Sequence, residues 1–212
     1  MNESSSMTAI PRRSLSNWLF APFNFIAGGA ALGVGVAVIA VSALLGSVSK
    51  THFDGVLDFH TRLPAPVWVF VAEGLIDWLA MAILLLIGGL IFSKSRVRPI
   101  DVFGTQAMSR GPTLFTAAAV LLPGYERGAA SLIAKATDAT SAVQASPFDL
   151  LAFAVVAFIG ILMTVWMVWL MYKGFSISCN VTGGKAVAVF LFAIFLGEVA
   201  SKVVIVGIVF PQ

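Results

Sequence analysis

The chain has 212 residues, of which 59% are hydrophobic and only 11% charged, with a mean hydropathy of +0.98. A water-soluble domain of this size would lack the polar side chains to coat such an interior, so the composition excludes a soluble globule and specifies an integral membrane protein. The formal charge of +3 comes from basic residues set mostly between apolar runs. With no basic, aromatic-rich stretch, it excludes a nucleic-acid partner and points to membrane lipids.

Residues 1–22 read as a cytoplasmic tail with an interfacial segment. The first eleven residues are Ser-rich and expected to be disordered. After Arg12 and Arg13, the stretch Ser14–Phe25 interleaves Trp18, Phe20 and Phe23 with polar residues, which suits either a segment at the headgroup boundary or the frayed start of the first span. The two arginines resemble the start of a signal peptide. The apolar run that follows is too long for one and ends in no Ala-x-Ala site, so it reads as a retained first span.

The remainder, 23–212, reads as a single all-α transmembrane domain with five crossings at about 25–48, 66–92, 113–133, 148–172 and 185–210. The first carries Gly29, Gly33 and Gly35 among further small residues (Ala31-x-x-x-Gly35, Ser42-x-x-x-Gly46), spacing that lets a neighbouring helix backbone approach closely. A polar hairpin, Ser49 to Pro64, follows. It holds His52, Asp54, Asp58 and His60, too few obvious ligands for a metal site, so a wet interfacial loop is expected and no metal.

The second span, Pro66 to Phe92, carries Glu73 and Asp77 one helical turn apart on one face. A carboxylate near mid-membrane costs about 2.5–3.5 kcal/mol on insertion scales, so each needs a partner, a proton or water. The loop that follows, 93–112, holds Lys94, Arg96, Arg98 and Arg110 against the single acid Asp101. As the densest positive cluster it marks the cytoplasmic side. The third stretch is short and broken at Pro123-Gly124, and Thr137–Ser146 reads as a loop. The fourth places Trp166, Trp169 and Tyr172 beside Lys173, an interfacial grouping on the cytoplasmic side. Parity then requires the broken third stretch to cross, with the N-terminus inside and the C-terminus outside.

The fifth span carries Glu198 and Lys202 at i,i+4, the acid-first order that favours an ion pair. The second and fifth spans are expected to run antiparallel, which would gather Glu73, Asp77, Glu198 and Lys202 into one buried cluster. The single cysteine, Cys179, excludes an internal disulfide and a multi-cysteine metal site. No His-Glu-x-x-His, Gly-x-Ser-x-Gly or phosphate-loop pattern occurs, so neither an enzyme nor a cofactor is expected.

Five spans, a basic loop after the second, Leu-Leu-Pro123 in the third and the junction Met171-Tyr-Lys-Gly-Phe-Ser-Ile-Ser-Cys-Asn-Val-Thr-Gly-Gly-Lys185 resemble the Yip1-domain membrane proteins. The resemblance implies a bacterial inner-membrane relative of eukaryotic trafficking proteins, without catalytic residues. Two readings stay open. One is a non-enzymatic membrane organiser contacting lipids, protein partners or further copies of itself; the other is a small transporter or channel subunit using the buried charges.

Overall fold

The computed structural model describes residues 14–61, 64–137 and 144–208, the last without its side chain. The first thirteen residues of the expected 1–22 tail, with Arg12 and Arg13, lie outside that range, as do Arg62 and the end of the fifth span beyond 208. Regular secondary structure among the described residues is helical apart from one pair of two-residue strands.

Four helices are long and apolar enough to cross a membrane: α2 (Gly28–Ser49), α3 (Val67–Phe92), α7 (Pro147–Cys179) and α8 (Gly183–Ile208). Their ends follow local chemistry. Helix α3 begins after Pro66, whose own backbone is extended. Helix α7 starts with Pro147 behind a capping box, where the Ser146 hydroxyl accepts from the Asp149 N–H and the Asp149 carboxylate accepts from the Ser146 N–H. It stops at Asn180 in the left-handed region. It therefore runs seven residues past the expected end at 172, and the expected 174–184 loop shrinks to a short turn. The aromatic–lysine grouping at 166–173 marks a depth along this helix and not its end.

Ahead of α2 lie a short helix α1 (Leu15–Phe20) and a 3-10 turn over Pro22–Asn24. The indole N–H groups of Trp166 and Trp169 on α7 donate to the backbone carbonyls of Leu19 and Phe20, fastening α1 along α7.

The region expected as a cytoplasmic loop followed by a 113–133 span is organised differently. Only 93–98 is loop. Helix α4 (Pro99–Met108) and helix α5 (Gly111–Ala119) follow, joined by Ser109 and Arg110. Gly111-Pro112, at the end of the expected 93–112 loop, opens α5 instead, because proline in the first helical turn loses no hydrogen bond. At the junction the Ser109 hydroxyl donates to the Thr105 carbonyl and the Thr113 hydroxyl to the Arg110 carbonyl. Side chains thus satisfy backbone groups that a kink would strand. The break at Pro123-Gly124 is present, and beyond it runs the amphipathic α6 (Tyr125–Ala136).

Contacts order the helices. Along α2 and α4–α5, Gly28 lies against Asp101 and Gly104, Gly35 against Ala107, Ser42 against Thr113, and Lys50 against Glu126. The two therefore run side by side in the same direction over their full length. Helix α7 runs the opposite way, with Thr105 opposite Gly174, Gln106 opposite Met171 and Gly124 opposite Asp149. Helices α3 and α8 are antiparallel, with Gly88 against Val189 and Gly197 against Met81. The main core, built on Met81, Leu85, Met171, Phe175 and Phe190, sits among α3, α7 and α8.

Of the three glycines expected to pack, Gly35 does so: a Cβ there would overlap Ala107. Gly29 only approaches Ile100, 3.9 Å from where its Cβ would stand, and Gly33 has nothing within 4 Å. The buried stripe of α2 is Gly28, Ala31, Gly35, Ile39, Ser42 and Gly46, which leaves Gly29 and Gly33 on the other face.

Candidate functional site

The site forms where the hairpin after α2 folds back into the helices. Strands β1 (Thr51–His52) and β2 (His60–Thr61) pair antiparallel, placing His52 opposite His60. The segment between them is not the expected wet loop: Thr51, His52, Asp54 and Val56 are buried. Gly55 presses on α8, where a Cβ would stand 2.5 Å from Glu198 Oε1. The Leu57 N–H donates to Glu198 Oε2 (2.9 Å), so α8 holds the loop tip through a carboxylate.

Two acid–base pairs occupy the interior beneath the hairpin. His52 Nδ1 lies 2.7 Å from Glu73 Oε1, both side chains only 1% exposed, with the imidazole stacked on Phe70 at 4.4 Å. One turn further along α3, Asp77 Oδ2 faces Arg110 Nη1 at 3.9 Å, with side-chain exposures of 0% and 4%. Arg110 Nη1 also donates to the Val56 carbonyl (3.0 Å), tying the guanidinium to the hairpin. Ser201 of α8 sits beside Asp77, its own hydroxyl turned to the Glu198 carbonyl.

The sequence-derived cluster is thus divided and recentred. Glu73 and Asp77 are buried on one face of α3, but their partners are His52 and Arg110. Lys202 does not reach them. Its ammonium binds Asp58 Oδ2 at 2.8 Å and Glu198 Oε1 at 2.9 Å nearer the surface, 44% exposed. Arg110 is not in a cytoplasmic loop with Lys94, Arg96 and Arg98. Those three are exposed, whereas Arg110 lies between helices because the chain around it is helical and Asp77 compensates its charge. Ligand atoms of Asp54, Asp58 and His60 lie within 4.8 Å of one another, near enough for a cation. In this structure the Lys202 ammonium fills that electrostatic role at Asp58.

Sequence reasoning passed over His52 and Arg110 as interior groups. A signal existed for the arginine: Gln106, Ser109, Arg110, Thr113 and Thr116 form a polar stripe at helical spacing, and all are buried. For the histidine, nothing short of the fold places its ring against Glu73.

Among the described residues, several atoms of the interior pairs have no hydrogen-bond partner: Glu73 Oε2, both Asp77 oxygens, and Arg110 Nε and Nη2. A small cavity lined by Asp77, Arg110, Ser42, Thr113, Phe70 and others adjoins them. The arrangement can hold charge and one or two small polar molecules. Among the described residues it offers no nucleophile–base pair set against an open substrate cleft. No family model matches this chain, nor does any curated protein or solved structure.

Proposed function

We propose that this protein is a non-enzymatic membrane organiser, resembling the Yip1-domain proteins, that contacts lipids or protein partners through its basic end. One observation carries the reading. The interior charges pair with one another within the bundle, and the cavity between Asp77 and Arg110 has only about 20 Å³ of room for the centre of a water molecule. A translocated solute would need far more space.

In this reading the chain crosses the bilayer five times. The third crossing is the composite α4–α5, whose ten-residue and nine-residue helices with their two joining residues reach about 31 Å at 1.5 Å per residue. Exposed Lys94, Arg96, Arg98 and Lys185 gather at one end of the bundle. At the other end the basic side chains are paired with acids, Lys50 with Glu126, Lys202 with Asp58 and Glu198, and Arg127 with Asp149. This asymmetry supports a bacterial inner-membrane orientation with the basic end and N-terminus cytoplasmic and the C-terminus outside.

A second reading, a small transporter or channel subunit, draws on the unpartnered oxygens of Asp77. Purified protein with Asp77→Asn, reconstituted in liposomes, separates the two. An organiser predicts altered thermal stability with no proton or cation flux above empty liposomes in either form. Flux through the wild type that the substitution abolishes, with stability retained, would replace the organiser by the transporter.

A further inference from the structure

The unpartnered atoms around Asp77 fall into two kinds. The two Asp77 oxygens and Glu73 Oε2 are acceptors; Arg110 Nε and Nη2 are donors. In a nonpolar interior each such group costs free energy unless satisfied. A bare metal cation would satisfy only the acceptors, and a halide only the donors. The ligand that answers both is one that donates and accepts at once and is small enough for the space.

The space is suited to water. The cavity lined by Asp77 and Arg110 offers about 20 Å³ to a water centre, and a second that also adjoins Arg110 offers about 10 Å³. A single water needs roughly 10–15 Å³ of such room and two to four polar partners. The two cavities share Phe53, Arg110 and Thr113 in their walls. The second also touches Asp58, whose side chain is 48% exposed at the hairpin. In the other direction along the bundle, Met81, Leu85, Val102 and Phe175 are fully buried and apolar.

We propose that the two cavities form one water-holding vestibule, reached from the hairpin at Asp58 and closed beyond Asp77, in which ordered water bridges the Asp77 carboxylate to the Arg110 guanidinium. A bridging water donates to the acid and accepts from the arginine, which accounts for a 3.9 Å gap too long for a direct hydrogen bond. The middle of the bundle is then hydrated from one face only.

X-ray radiolysis of the full chain in nanodiscs tests this, because hydroxyl radicals made from bound water modify the side chains beside it. Phe70 and Met167 line the cavities, and Phe175 and Met81 lie in the apolar core; all four are less than a twentieth exposed. The expected result is modification of Phe70 several-fold faster than Phe175, and of Met167 several-fold faster than Met81. Equal rates within each pair would overturn the proposal. In Asp77→Leu/Arg110→Met, both differences should vanish. If that variant does not fold, the comparison inside the wild type still decides.

Discussion

Arg110, at the α4–α5 junction, and Asp77, on α3, face each other with 3.9 Å between Nη1 and Oδ2, both buried. A guanidinium and a carboxyl group therefore sit inside the bundle with no direct hydrogen bond between them. Attraction in such surroundings is strong, but so is the cost of removing both ions from water. The pair is better understood as a register device than as a net source of stability, since it joins α3, the α4–α5 junction and, through Val56, the hairpin.

Removing one partner should therefore be worse than removing both. Arg110→Met leaves a buried uncompensated carboxylate and should destabilise by about 3–5 kcal/mol, whereas Asp77→Leu/Arg110→Met should recover most of that loss. Thermal unfolding of the purified variants in one detergent, completed as a double-mutant cycle, reads the difference. A double variant no more stable than Arg110→Met would contradict this account of the pair.

The membrane class, the four long helices and the acid-bearing face of α3 were all legible because hydrocarbon imposes length and hydropathy directly on sequence. The partners were not legible. Lys202 looked like the counter-ion because it is four residues from Glu198, and local spacing is what a sequence displays. Arg110 looked like a loop residue because it falls in the basic cluster with Lys94, Arg96 and Arg98, yet its own neighbours are helical. The small-residue motifs also named the wrong face in part: Gly29 and Gly33 fit the spacing as well as Ala31 and Gly35, and only the position of α4 decides between them.

That distinction between glycines is measurable. Gly35→Leu should force α2 from α4, because a Cβ there already overlaps Ala107, and cost at least the 1–3 kcal/mol typical of overpacking. Gly33→Leu meets open space and should fall within about 0.5 kcal/mol of wild type. Thermal midpoints in matched micelles rank them, and equal losses would mean that Gly33 meets a surface the single chain does not include, such as a second copy.

Lys202 gives a contrasting case. Its ion pairs with Asp58 and Glu198 are near the hairpin surface and half-exposed. Exposed pairs contribute only about 0–1 kcal/mol. Lys202→Met should accordingly lower the thermal midpoint much less than Arg110→Met, and its effect should shrink in high salt. A loss matching that of Arg110→Met would move the electrostatic centre of the bundle back to α8.

The most consequential expectation concerns α4 and α5, since the polarity of everything after them depends on it. Neither helix alone is long enough to span, and the polar stripe through Gln106, Arg110 and Thr113 keeps the pair from standing out by hydropathy. Its course nevertheless follows α2 from end to end. It begins beside Gly28, at one end of α2, and continues through Ser42 at Thr113; α6 then meets Lys50 at the other end. Its polar side chains are directed to α2, α3 and α7, and apolar Phe115 and Ile100 remain exposed on the outer surface. Reporter fusions after Ser95 and after Thr137 should therefore lie on opposite sides of the membrane, with alkaline phosphatase active only at the second and green fluorescent protein bright only at the first. The same side for both would mean that α4–α5 turns back within the bilayer, and α7 and α8 would each have to run in the reverse sense.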